Sequence, residues 1–278
     1  MIQRRSLLWI FIGPLLAVSL SDFLAAKPLQ VRVERWLEVR ELSGSVMYLR
    51  GALAQQAQLG TRLQQVGDTI KTGPRSSTLL EVDTGSGFVS MAANTTVQVK
   101  AIQTLPSGGR LTRLQVVQGQ ARFRVKRGES NNSILEIETP GGVSAVRGTE
   151  FGVNVHPDGK TGIATLEGKV ETFAQGQSVM VEAGFQTLLV PGEPPTRPIP
   201  FQEGTGLKLQ LLDAINSKTV RIRGQVNPVN LLTIADVSQT LDRNGQFDIQ
   251  IPLPASRRIE AVVVSPFGKR QVYELAVP

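Results

Sequence analysis

From Leu42 to Val190 the apolar residues recur at every second position: Leu80 and Val82, Val97 and Val99, Ala121, Phe123 and Val125, Leu135 and Ile137, Phe151, Val153 and Val155, Val179 and Val181. A period of two puts these side chains on one face of an extended chain, so the pattern predicts many short strands that each bury one side. Glycines punctuate the runs, among them Gly73, Gly85, Gly87, Gly119, Gly141-Gly142, Gly168, Gly176 and Gly184, and read as turn positions. Asp158-Gly159, between the strand ending at Val155 and the next, is the best local hairpin signal. No long segment after residue 27 has helical periodicity, and the predicted fold class is all-β.

The pattern breaks between Pro191 and Gly206, where PGEPPTRPIPFQEGTG carries five prolines in its first ten residues. Proline removes amide donors and fixes φ, so this stretch reads as a semi-rigid linker. Strand-like runs resume at Thr219–Val226, Leu231–Ala235, Gln246–Leu253, Arg258–Val264 and Gln271–Val277, with turns at Asn227-Pro228, Arg243-Asn244-Gly245 and Pro266-Phe267-Gly268. Short strands packed into residues 207–278 suggest a small β-sandwich. The expected division is therefore 1–26, 27–190, the linker 191–206, and 207–278.

Residues 1–26 differ from the rest. Arg4-Arg5, the apolar run Leu7 to Leu20 and Ala25-Ala26 have the charged, apolar and small-residue parts of a secretory signal. Asp22 cuts the run short of the roughly 20 apolar residues that span a bilayer, so an uncleaved N-terminal anchor is the alternative reading. Either way the expected location is outside the cytoplasm, in a periplasm or at a cell surface.

At 278 residues the chain can build two modest cores, and its 27 glycines with only two tryptophans and two tyrosines suit a turn-rich β protein. It has no cysteine, which excludes disulfides, thiol catalysis and acylation at a cysteine. The formal net charge is +7, and losing residues 1–26 would remove two arginines and one aspartate to leave +6. Such a balance favours loose association with anionic polymers without naming a ligand.

The densest polar signature is Arg147-Gly148-Thr149-Glu150-Phe151, inside TPGGVSAVRGTEFGVNVHPDGKTGIATLEGKV. Together with Gly44-Ser45-Val46, Gly60-Thr61-Arg62-Leu63, the block Val66-Gly67-Asp68-Thr69-Ile70-Lys71-Thr72-Gly73, and Val179-Met180-Val181-Glu182-Ala183-Gly184-Phe185-Gln186, it resembles the FecR domain over about residues 36–190. That resemblance implies a twisted β-roll or β-helix-like arrangement, with a sandwich as the alternative, and an extracytoplasmic, non-enzymatic role. The C-terminal run VRIRGQV, DRNGQFDIQIPL, IEAVVVSPFGKR resembles immunoglobulin-like accessory modules of bacterial surface proteins.

Candidate chemistry is sparse. His156 is the single histidine and, beside Pro157-Asp158-Gly159, is expected in an exposed turn. Without a second histidine or any cysteine, a zinc site or Ser-His-Asp triad has little support. Glu136, Glu138, Glu150, Glu167 and Glu171 could in principle pair for glycoside cleavage, but Glu136 and Glu138 alternate with Leu135 and Ile137 as a solvated face does. No catalytic, cofactor-binding or metal-binding residues are assigned, and neither glycine-rich stretch has phosphate-loop spacing.

Arg122, Arg124 and Lys126 alternate with Ala121, Phe123 and Val125 and form a basic stripe on one strand face, which Arg110, Arg113 and Arg127 could extend. With Arg147 and Glu150, these three cations are the candidate partner-binding residues; the structural readings are a solvated strand face for the stripe and, for Arg147 and Glu150, a turn-stabilising pair or hydrogen bonds to neighbouring backbone. Nucleic acid is not expected of an exported chain without stacking aromatics. FecR regulators carry a cytoplasmic sigma-factor-binding domain ahead of a membrane helix, and the six residues before the apolar run are too few to fold as one. The expectation is an envelope interaction or scaffold protein that binds another envelope protein, the alternative being a module for cell-wall or anionic polysaccharide.

Overall fold

The computed structural model describes residues 35–106, 108–126 and 133–278; residues 1–26, expected to be a secretory signal or anchor, and Arg127 and Gly128 lie outside these described residues. Residues 34–278 form one compact unit. Its first body begins with β1 (Leu37–Ser43), β2 (Val46–Arg50), β3 (Leu53–Gln56), β4 (Arg62–Leu63), β5 (Thr69–Thr72), β6 (Ser77–Val82), β7 (Gly87–Met91) and β8 (Thr96–Thr104). It continues through β9 (Arg110–Val125), β10 (Ile134–Thr139), β11 (Gly142–Val146), β12 (Glu150–Val155), β13 (Thr161–Glu167), β14 (Lys169–Ala174), β15 (Gln177–Glu182), β16 (Phe185–Leu189) and β17 (Ile199–Pro200).

These strands make two sheets. The front sheet runs β4-β1-β6-β7-β9-β12-β13-β16-β17, and the back sheet β3-β2-β5-β8-β9-β10-β11-β14-β15. Pairing is antiparallel throughout except β9 with β10, which is parallel. The chain winds between the sheets mostly two strands at a time, so a roll and a sandwich describe the same object. Between the sheets lies a single apolar cluster. The front sheet contributes Leu37, Leu80, Val89, Phe123, Phe151 and Val153, and the back sheet Val46, Ile70, Val97, Leu114, Ile137 and Val181. The alternation seen in the sequence thus marks the two inner faces.

Strand β9 belongs to both sheets: Arg110–Gln118 pairs with β8 in the back sheet, and Gly119–Arg124 pairs with β12 in the front. Gly119 is therefore not a turn, as expected, but a pivot inside a strand. Its φ is +89°, and a Cβ there would lie 2.5 Å from Thr95 Oγ1 and 2.6 Å from Thr95 Cα. Glycine is needed both for the left-handed backbone and for the close approach.

The second body holds β18 (Lys208–Asn216), β19 (Thr219–Gln225), β20 (Leu231–Ile234), β21 (Val237–Ser238), β22 (Gln246–Pro252), β23 (Arg258–Val264) and β24 (Arg270–Ala276). Sheets β18-β19-β22 and β21-β20-β23-β24 enclose their own core of Val220, Ile222, Leu232, Phe247, Ala261 and Val263. The sequence pattern did not predict β18, because register shifts between Leu209 and Leu211 and between Ala214 and Asn216 break its period of two. Between the bodies, residues 191–206 lie against the first: Thr196 receives the Leu188 amide at 2.9 Å and Phe201 N–H donates to Gly184 O at 2.7 Å.

Candidate functional site

The signature strand β12 places alternate residues on opposite faces. Phe151, Val153 and Val155 point inward; Phe151 stacks on Phe123, its direct cross-strand neighbour, with ring centroids 5.0 Å apart and planes at 16°. Just before the strand, Gly148 takes φ +62°, and the buried Thr149 donates from Oγ1 to Lys169 O at 3.1 Å. Glu150, Gly152 and Asn154 form the outward set, and His156 follows at the strand's end.

Glu150 is mostly buried and draws in two arginines from β9: Arg122 donates from Nε to Oε1 at 2.8 Å and Arg124 from Nε at 3.3 Å. Burial alone would raise its pKa, but the hydrogen bonds from Arg124 and Arg122 outweigh burial and hold the carboxyl below its usual range. With Leu79, Phe88 and Ser90 from β6 and β7, these three residues line a half-open depression of about 140 Å³. The Arg122 guanidinium also lies 5.8 Å from the ring centroid of Phe267 in the second body.

Of the residues expected to bind a partner, the fold therefore gathers Arg122, Arg124 and Glu150. Lys126 is exposed at the end of the same strand, and Arg147 is exposed with no ion pair among the described residues. Of the two structural readings of Arg147 and Glu150, the mutual pair is not formed, because Glu150 faces β9 and meets Arg122 and Arg124 there. Nor does the stripe extend along β9: the pivot at Gly119 sends Arg113 to the outer face of the back sheet, where it meets Glu136 at 2.6 Å and Glu138 at 3.4 Å. Arg110 leans on Ser86 at 3.0 Å.

The rest of the outward set of β12 is roofed by the second body, a feature the sequence reading missed. Asn154 donates from Nδ2 to Val229 O at 2.8 Å and to Val264 O at 3.0 Å, and Gln120 donates to Pro266 O at 2.7 Å. Gly162, opposite Asn154 on β13, lies so close that a Cβ would be 2.6 Å from Val229 Cα. Gln186 and Asn227 exchange amide hydrogen bonds at 3.3 Å. A glycine inside a strand often marks close backbone approach, and Gly152 and Gly162 were the available signals.

His156 corrects an expectation. It is 1% exposed rather than in an open turn, because the Asn227–Asn230 loop covers the hairpin end. The Pro228 carbonyl faces the ring without hydrogen-bond geometry, and neither ring nitrogen has a partner. Burial, the larger influence, lowers its pKa from 6.5 to about 4. The hairpin itself forms as expected around Asp158-Gly159, with Val155 opposite Thr161. Among the described residues no group of three or more His, Asp or Glu is placed to hold a metal ion.

Comparison with known proteins gives one family match: the model described as FecR protein matches residues 68–171. No curated protein matches the chain. Two crystal structures of a candidate anti-sigma factor from Parabacteroides distasonis ATCC 8503 align at 19% and 18% identity, with TM-scores of 0.38 and 0.39. Each alignment covers 49% of this chain and 59% of the solved one. A polysaccharide lyase aligns at 6% identity and a TM-score of 0.20, over 88% of this chain and 40% of its own. Scores this low carry no argument about function. The matched segment runs from the buried Asp68 turn through the signature to β14, and strands on both sides complete its two sheets. Residues 68–171 of this chain are a FecR domain.

Proposed function

We propose that this protein is a non-enzymatic interaction or scaffold protein of the cell envelope that binds another envelope protein. The FecR domain carries the reading. It is supported by the outer face of the front sheet, where Arg122 and Arg124 flank one carboxylate above an apolar floor, a mixture suited to protein contact. Export is proposed from the charged, apolar and small-residue order of residues 1–26. In the same reading residues 207–278 are an immunoglobulin-like module, supported by its three-on-four arrangement of antiparallel strands.

A photo-crosslinking residue at exposed Lys126, introduced in the native host, tests the proposal. A discrete adduct with an envelope protein is expected, lost when Arg122 and Arg124 are both changed to glutamate. Adducts with wall polymer alone would move the assignment to polysaccharide binding. No adduct of either kind would overturn both.

A further inference from the structure

We propose that the contact between the two bodies is pH-responsive: protonation of His156 releases the second body from the front sheet. The inference is independent of what the protein binds and rests on where this side chain sits. His156 lies at the outer end of β12, beneath the Asn227–Asn230 loop, with 1% of its surface exposed. Both ring nitrogens lack a partner. Among the described residues the other buried side-chain atoms without one are Asn154 Oδ1 and Asn230 Oδ1, which belong to the same joint.

A proton added to this ring would place a charge in a buried site where the Pro228 carbonyl is the acceptor facing it, and that favourable contact is outweighed by burial. The charged groups acting on the ring are Asp158 and Lys160, from the hairpin turn that follows β12; they oppose each other in sign and are themselves ion-paired. Glu193, in the turn whose Pro191 packs near Gly159, is engaged by Arg243 of the second body. The covering segments Asn227-Pro228-Val229-Asn230 and Ser265-Pro266-Phe267-Gly268 carry no titratable side chain. Only loss of the roof gives the imidazolium its water.

The joint is built for separation. Its bonds run from the amides of Gln120, Asn154 and Gln186 to loop carbonyls and to Asn227, with the Glu193–Arg243 ion pair and the Arg122–Phe267 contact beside them, and it lies outside both apolar clusters, so it can part while each core stays intact. Burial holds the ring near a pKa of 4, and exposure would return it to about 6.5. Acid therefore favours the parted form from about pH 6.5 downward, by roughly 150-fold at pH 4 and up to about 300-fold well below it.

The absence of cysteine allows a direct measurement. Donor and acceptor dyes on exposed Ser178→Cys and Ser217→Cys report the distance between the bodies in the otherwise complete chain, while far-ultraviolet circular dichroism reports the strands. Energy transfer should fall between pH 6 and 4 with the strand signal unchanged, and His156→Phe should abolish the fall. The ring signals of the single histidine, followed by NMR in the unlabelled wild type, should titrate with the same midpoint. Constant transfer down to pH 4, an equal fall in His156→Phe, strands that melt together with the loss of transfer, or a histidine midpoint unrelated to it would each overturn the proposal.

Discussion

Gly152 of β12 lies directly beneath Pro266 of the second body, close enough that a Cβ would run into the proline carbonyl. Gly152→Ala should therefore cost about 1–3 kcal/mol through overpacking of the joint. Gly204→Ala, whose Cβ would meet nothing nearer than 4.0 Å, should cost less than about 0.5 kcal/mol. Urea denaturation of both variants beside the wild type separates the two outcomes, and equal midpoints would show that the close approach does not constrain position 152.

Stability should fall in acid because of His156. Above pH 6.5 the ring is neutral in folded and unfolded chains alike, and contributes no pH dependence. Between 6.5 and about 4 the unfolded chain takes up a proton that the joined form refuses, so each step downward weakens the joined form against the unfolded chain. The joined form's full loss, reached below pH 4, is about 3 kcal/mol, and parting of the bodies caps the loss seen in global unfolding below that figure. Carboxylates titrate in wild type and in His156→Phe alike, so the difference between their urea midpoints at pH 7.5 and pH 4.5 isolates this one group.

Glu150 and Arg147 should behave differently despite sharing the signature. Glu150→Gln removes the charge that holds Arg122 and Arg124, and should cost about 1–2 kcal/mol, a modest figure because Arg124 is 60% exposed at its side chain. Arg147→Ala should stay within about 0.5 kcal/mol. If thermal unfolding shows the reverse order, the signature's architecture is centred on Arg147 instead.

Asp68 opens the matched segment with its side chain fully buried, accepting the Gln64 and Gln65 amides at 2.8 and 3.0 Å and Arg50 Nε at 2.6 Å. Burial would raise its pKa, but Arg50 and the two amides outweigh it and keep the carboxyl below its usual range. Asp68→Ala leaves four donors unmet, two of them on Arg50, and should cost about 3 kcal/mol or more in chemical denaturation.

The alternating valines and leucines made the inner faces legible, since burial against the opposite sheet is what a period of two records. The outer faces were harder to read. In β12 all six residues are buried, because Gly152 and Asn154 are covered by loops more than 70 residues away in sequence, and a one-sided strand rule has no place for them. His156 was misplaced for the same reason: Pro157-Asp158-Gly159 specifies a turn but not what lies over it. The site was partly visible in Arg122 and Arg124, whose spacing put them on one face. Their carboxylate partner could be recognised only once β9 and β12 were known to pair, Arg124 opposite Glu150.

Because β9 is a member of both sheets, the first body has no seam. No cut between residues 110 and 125 yields a fragment containing one finished sheet, and a protease or a gene-splitting experiment that opens this strand should dismantle both layers together. Tension applied at Arg124 on one face is carried along a single covalent backbone to Arg113 on the other. A partner held at the front of the domain would thus be pulling on its back as well.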